Sequence, residues 1–234
     1  LDGTRQATSL RFSRSNSRWG LSDEGLDLHG LRPPFAERTV AVNRKVVRRL
    51  KVIQSDVDKV INRTLGSAGI EPSCAPKCSA CCYALPMVTI PEAVRMIDLA
   101  GSRFWNELKP EIDRKAQMLL SDASMTTTRW FQEKHGCAFL QDDMCSVYAA
   151  RPTMCRTYFV VSDPERCGAV SGTDVAVVDT RRIREAAFYH EVQVAHDFGL
   201  PVAPAPLPVA VSWAAIAVKY GADALRDHLA GTEF

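Results

Sequence analysis

Four cysteines fall within nine residues, Cys74-Ala-Pro-Lys-Cys78-Ser-Ala-Cys81-Cys82, and four more follow at Cys137, Cys145, Cys155 and Cys167. A buried free cysteine packs like a small hydrophobe and has no reason to cluster. Dense thiols followed by a second set at a distance are what a thiolate-rich metal or iron–sulfur site requires. A chain under this constraint must fold so that two remote stretches meet.

The remaining composition sets the frame. With 234 residues, 46% of them hydrophobic, the chain can bury a real core in one or two domains and does not need disulfides to stand. The net charge of +2 and pI near 8.2 are too mild to indicate nucleic acid, which is not expected as a partner. The first fifty residues are nonetheless rich in arginine, including Arg5, Arg11, Arg14, Arg18 and Arg32. Such an arm could meet phosphate or an acidic partner protein, although composition favours a solvated tail. No charged and apolar leader pattern is visible, and the apolar run Val209 to Val218 is too short to span a bilayer. A soluble, cytoplasmic protein without a membrane partner is expected. There thiols stay reduced and clustered cysteines act as ligands.

Periodicity predicts a mostly helical chain. Residues 1–35 read as a basic extended arm. Val46, Leu50, Ile53, Val57 and Val60 form the seam of an amphipathic helix over 36–65, capped by Gly66. That helix is expected to dock on the protein's own core, and with the arm it could also receive a protein partner. Residues 67–200 read as the cysteine-bearing domain. Within it, Val88 to Ile90 is an extended piece and Thr89-Ile90-Pro91-Glu92 a capping box opening a helix to Leu99. Helices are also expected over 102–121, with a break or kink at Pro110, and over 126–134 and 180–198, with a strand at Val175 to Val178. Residues 201–234 read as a proline-stiffened linker and one helix over 209–229.

Cys74, Cys78 and Cys81 sit where one loop can wrap a single centre. Cys82 points elsewhere, because neighbouring side chains diverge, and suits a second metal or another edge of a cluster. Eight thiols allow two tetrahedral sites, or one four-thiolate cluster and a separate site. A four-thiolate zinc or [4Fe–4S]²⁺ centre carries a net charge of about −2, which is costly to bury alone. Arg151, Arg156 and Lys77 flank the cysteines and could offset it, Arg156 above all. Among the histidines only His135, two residues before Cys137, is close enough to compete as a ligand. Tyr148 and Tyr158 read as packing residues, and Asp142 and Asp143 as a turn. No phosphate loop or nucleophile elbow appears, and no catalytic residue is identified.

The run from Cys74 to Tyr83 followed by Val88-Thr-Ile-Pro-Glu-Ala resembles the start of the CxxCxxCC family of zinc- or iron-chelating (YkgJ-like) proteins. Cys137-Ala-Phe-Leu, Cys145-Ser-Val-Tyr and Arg151-Pro-Thr-Met-Cys155-Arg156 continue the likeness in the same order, over roughly residues 70–170. The three-residue gap between Cys74 and Cys78 departs from the family's two. The resemblance implies metal or iron–sulfur binding. Its relatives include a flagellin lysine N-methylase, which implies a cluster used with S-adenosylmethionine to modify protein.

All-sulfur ligation among apolar neighbours suits a [4Fe–4S] cluster, while structural zinc in a protein-interaction module is the alternative. The spacing Cys74-x3-Cys78-x2-Cys81 also occurs in radical S-adenosylmethionine enzymes. Ala80 in place of an aromatic, and the lack of alternating strands and helices, speak against that reading. A disulfide-stapled secreted domain would need strained pairing at Cys81–Cys82 and an export signal.

Overall fold

A computed structural model describes residues 33–75, 77–168 and 175–231. The chain is mostly helical, as the periodicity predicts. The arm expected over 1–35 lies outside the described residues as far as residue 32, and helix starts already at Pro33.

Helix α1 (Pro33–Ala68) lays Val46, Val47, Leu50, Val57 and Ile61 on the core. Val60, expected on the seam, is 38% exposed and Ile61 replaces it. A straight helix of 3.6 residues per turn drifts off a 3.5-residue seam, and the last contact therefore steps by four. Nor does Gly66 end the helix. The stop is Gly69, in the left-handed region at φ 61°, with Gly69 N–H donating to Gly66 O and Ile70 N–H to Leu65 O. These two bonds form a Schellman turn, which needs a residue tolerant of positive φ.

Strand β1 (Met87–Val88) leads into α2 (Ile90–Ala100), whose first residues Ile90 to Ile97 are all buried. The predicted capping box is formed: the Thr89 side chain accepts from Glu92 N–H, and Glu92 accepts from Thr89 N–H at 3.0 Å. Of the break or kink expected at Pro110, the helical path shows no break but a change of winding just before the proline. A π-helical turn at Phe104–Leu108 runs directly into α3 (Lys109–Ser121), where Pro110 occupies the first turn and its missing N–H costs nothing.

Further on come α4 (Thr127–Gln132), the hairpin β2 (Leu140–Gln141) and β3 (Met144–Cys145), the single turn α5 (Thr153–Arg156) and α6 (Arg181–Asp197). The strand expected at Val175 to Val178 is reduced to one bridge, Val160 with Val177.

The proline segment is not a linker. Ala205–Pro206 forms β4, antiparallel to β1 with Val88 opposite Ala205, and Leu207 N–H donates to Pro86 O at 2.9 Å. Pro206 is tolerated because this ladder is only two residues long. Helix α7 (Leu207–Tyr220) is apolar nearly all round and packs against α1, α2 and α3. It forms the middle of a single main core that also takes in Phe104, Ile112 and Phe139. The expected single C-terminal helix divides at Gly221, where φ 95° and ψ 166° lie in a region open essentially to glycine. α8 (Ala222–Ala230) follows.

A polar knot fastens three elements inside this core. Glu92 of α2 and Glu191 of α6 are 2% and 1% exposed. Thr153, first residue of α5, donates its N–H to Glu92 at 2.5 Å and its hydroxyl to Glu191 at 2.6 Å. Burial, and then the charge of Glu92, push the Glu191 carboxyl up to about 9. Glu191 is therefore protonated at neutral pH and donates to Glu92.

The folded chain holds one proton more than the unfolded chain between the ordinary 4.5 of glutamate and about 9. This contribution is full below that window and lost as pH rises through it. Urea titrations from pH 5 to 9 are expected to show stability falling, with a shallower slope in Glu191→Gln. At Gly221, alanine is expected to cost about 1–3 kcal/mol. Gly66→Ala, in a helix interior with open space around its Cβ, is expected to stabilise by about 0.4–1 kcal/mol in the same assay.

Candidate metal centre

The first cysteine loop is built from tight turns. Lys77 takes the left-handed conformation at φ 66°, and Cys78 N–H donates back to Ala75 O at 3.0 Å. A 3-10 turn over Ala80–Tyr83 follows, with Cys82 N–H on Ser79 O at 2.8 Å, and it presents Cys81 and Cys82 in succession.

The second stretch is stitched to that turn by backbone. Cys137 N–H donates to Cys82 O at 2.8 Å, and Leu140 N–H to Cys137 O at 3.0 Å. Asp142 and Asp143 form the expected turn, both left-handed at φ 49° and 60°, as a two-residue hairpin requires. The hairpin sets Cys145 opposite Leu140, and the Asp143 carboxylate accepts from Ser79 Oγ at 3.0 Å. Cys155 lies on α5, held by the Glu92–Glu191 knot through Thr153.

These thiols feel one another. Cys82 is held well above the ordinary thiol value, first because its S–H is donated to Cys81, then by burial and the charges of Cys81, Cys137 and Cys145. As the acceptor of that bond, Cys81 falls to about 7, aided by the Arg151 charge. Burial pushes Cys137 up to about 11, with Cys145 adding to it and Lys115 opposing. Cys155 is raised by burial and then by Cys137, Cys81 and Cys145. Cys145 is raised by burial, with Arg151 opposing. Cys167 is raised by burial and then by Cys78, Cys74 and Cys81. All eight cysteines are free thiols. Among the described residues, no three cysteine, histidine or carboxylate side chains are grouped closely enough to hold one ion.

The cations divide differently from expectation. Arg151 faces the thiols: its charge lowers Cys81 and Cys145, its guanidinium lies 3.8 Å from the Tyr148 ring centroid, and its buried Nε has no hydrogen-bond partner. Arg156, expected to do the same, serves another purpose. It pairs with Asp58 of α1 at 2.6 Å and donates to Gln54, Ala149 O and Arg151 O, tying α5 to α1. Lys77 is exposed. Lys115 was not anticipated: buried on α3, it donates to Gly136 O beside Cys137 and pairs with Glu111 at 2.7 Å. Its signal was present in the sequence, since it stands on the face of Ile112 and Ala116 where a surface lysine has no place.

Other candidates are placed plainly. His135 bonds Glu133 at 2.8 Å through Nε2, and its ring lies against Trp130. Tyr148 is 62% exposed, with one face taken by Arg151, so it caps a cation instead of filling the core.

Soft sulfur donors, two nearby cations and buried walls of Phe139, Val147 and Ala150 fit a metal that prefers thiolate. Thiolates that raise one another's pKa gain most from a shared cation, because a metal removes both the repulsion and the protons. No helix among the described residues is long and apolar enough to cross a membrane. No curated protein and no solved structure matches the chain. Residues 73–173, the stretch from the first cysteine loop past Cys167, match the CxxCxxCC family model, described as a "Putative zinc- or iron-chelating domain".

Proposed function

We propose that this domain holds an iron–sulfur cluster of the [4Fe–4S] type on thiolates drawn from Cys74, Cys78, Cys81, Cys82, Cys137, Cys145, Cys155 and Cys167, for a redox or protein-modifying role. One observation carries the reading: the backbone stitches the two cysteine stretches together, with Cys137 N–H donating to Cys82 O at 2.8 Å, and Cys137 and Cys145 pack against the main core. When bound, such a cluster supplies one-electron transfer or an iron site for a co-substrate. Around it the chain's own residues do the rest. Arg151 and Lys115 offset anionic charge, the buried Phe139 and Val147 keep the core side dry, and the hairpin fixes Cys145 opposite Leu140. Neighbouring positive charge raises a cluster's potential, because reduction adds negative charge to the centre, whereas limited solvent access lowers it.

Anaerobic purification followed by elemental analysis tests the reading. Iron and acid-labile sulfide in near-equal amounts, with brown colour and visible absorbance, are expected. Cys145→Ser, with the far-UV spectrum unchanged, is expected to lose most of that absorbance. Zinc in place of iron would instead establish a structural thiolate module, and a protein without either metal would sink both.

A further inference from the structure

Away from the cysteines, α1 packs along α6, and an open groove of about 510 Å³ runs between the two helices. Val52, Val57 and Val60 line it from α1, and Ile183, Ala186 and Ala187 from α6. Val60, displaced from the seam by Ile61, faces this groove. The sequence makes the hollow. Ala187 joins Val57 and Ile61 in a small second core, and two alanines in succession leave open the width that larger side chains would fill. Val52 is left 58% exposed on an otherwise apolar wall.

Cations exceed free acids along the rim. Residues three, four and seven apart share a helix face, and Lys45, Val52, Asp56, Lys59 and Arg63 run in such a row along α1. Arg182 lines the α6 side. The acids here are already engaged, Asp56 with Lys59 at 2.9 Å and Asp197 with Arg49. Lys45, Arg63 and Arg182 are exposed and have no acidic partner among the described residues.

The walls dictate the shape of an occupant. Both are helices whose backbone groups are satisfied internally, so no edge is offered to an extended chain. A groove this open does not enclose a small molecule, whose sites bury about 70–90% of the ligand. From Val52 to Val60, α1 rises roughly 12 Å, the length of about two helical turns. Apolar side chains at i, i+3 or i+4, and i+7 of a third helix span that distance.

We propose that the α1–α6 groove receives an amphipathic helix of a partner protein, its apolar face on Val52, Val60, Ile183 and Ala186 and its flanking Asp and Glu residues on Lys45, Arg63 and Arg182. This surface is independent of how the thiols are used. It lies close to them all the same, because Gln54 and Asp58, four apart on α1, bond Arg156 beside Cys155.

The test is fluorescence anisotropy with the full-length protein and a labelled synthetic helix carrying Leu at i, i+3, i+4 and i+7 with Glu on both flanks. Two controls replace every Glu by Lys or scramble the order of the same residues. The Glu helix is expected to bind at least about tenfold more tightly than either control, and more weakly as salt rises. Val52→Glu, at an exposed position, is expected to weaken it by about tenfold or more, since a charge then faces its apolar side. Arg182→Glu is expected to weaken the Glu helix and strengthen the Lys helix. No saturable binding, equal binding of the scrambled peptide, or indifference to both variants overturns the proposal. So does a dimer in sedimentation that Val52→Glu dissolves, because the groove then belongs to a second copy. Metal content is expected to be the same in both variants as in the unmodified protein, which keeps this test separate from that of the thiolate centre.

Discussion

Sulfur atoms gathered near one another must either keep their protons or share a cation, and the centre of this protein is arranged around that constraint. The coupling is visible in both directions: Cys82 holds its proton and lends it to Cys81, whose own value falls to about 7. Burial alone would raise every thiol. What distinguishes this centre is that neighbours add to the effect, and that Arg151 and Lys115 oppose it from two sides. Structural thiols packed as hydrophobes need none of this.

Holding such a centre demands a scaffold that does not yield. The cysteine loops themselves are irregular, so their precision comes from what they are fastened to. α5 is only one turn long, too short to be stable alone, and it is fixed by Thr153 on the Glu92–Glu191 pair and by Arg156 on Asp58. The first anchor is polar and buried, where hydrogen bonds with poor geometry are costly, and in the second a buried guanidinium meets a half-exposed carboxylate. The core thus uses directional bonds at the places where a cysteine must point one way.

Much of this was legible in the sequence, and the gaps have physical causes. The capping box at Thr89 and Glu92 and the turn at Asp142–Asp143 were readable because both depend on local chemistry. The end of α1 was not, because Gly66 and Gly69 compete for the role and only the backbone angle decides, and the end of α7 was not, because the helical pattern runs on past Gly221. Gly66 tolerates helix while Gly69 stops it, and Gly221 adopts a conformation that ends a pattern the apolar residues would have continued. The proline segment 201–208 looked like a spacer because proline is a poor strand former, yet a two-residue ladder asks little of it. At the centre, the cysteines declared themselves by density. The cations did not, since adjacency in sequence favoured Arg156, whereas the fold turns that residue to α1 and brings in Lys115 from α3.

The position of α7 has a consequence for how the molecule is made. Its residues fill the middle of the core, yet they are translated after every cysteine. While the ribosome is still adding them, α1, α2 and α3 lack the surface on which they close, and the thiols stand in a nascent chain whose interior is incomplete. Closure of the core behind the thiols therefore waits until synthesis has passed Tyr220, and the last long helix sets the moment at which the cysteine loops gain their backing.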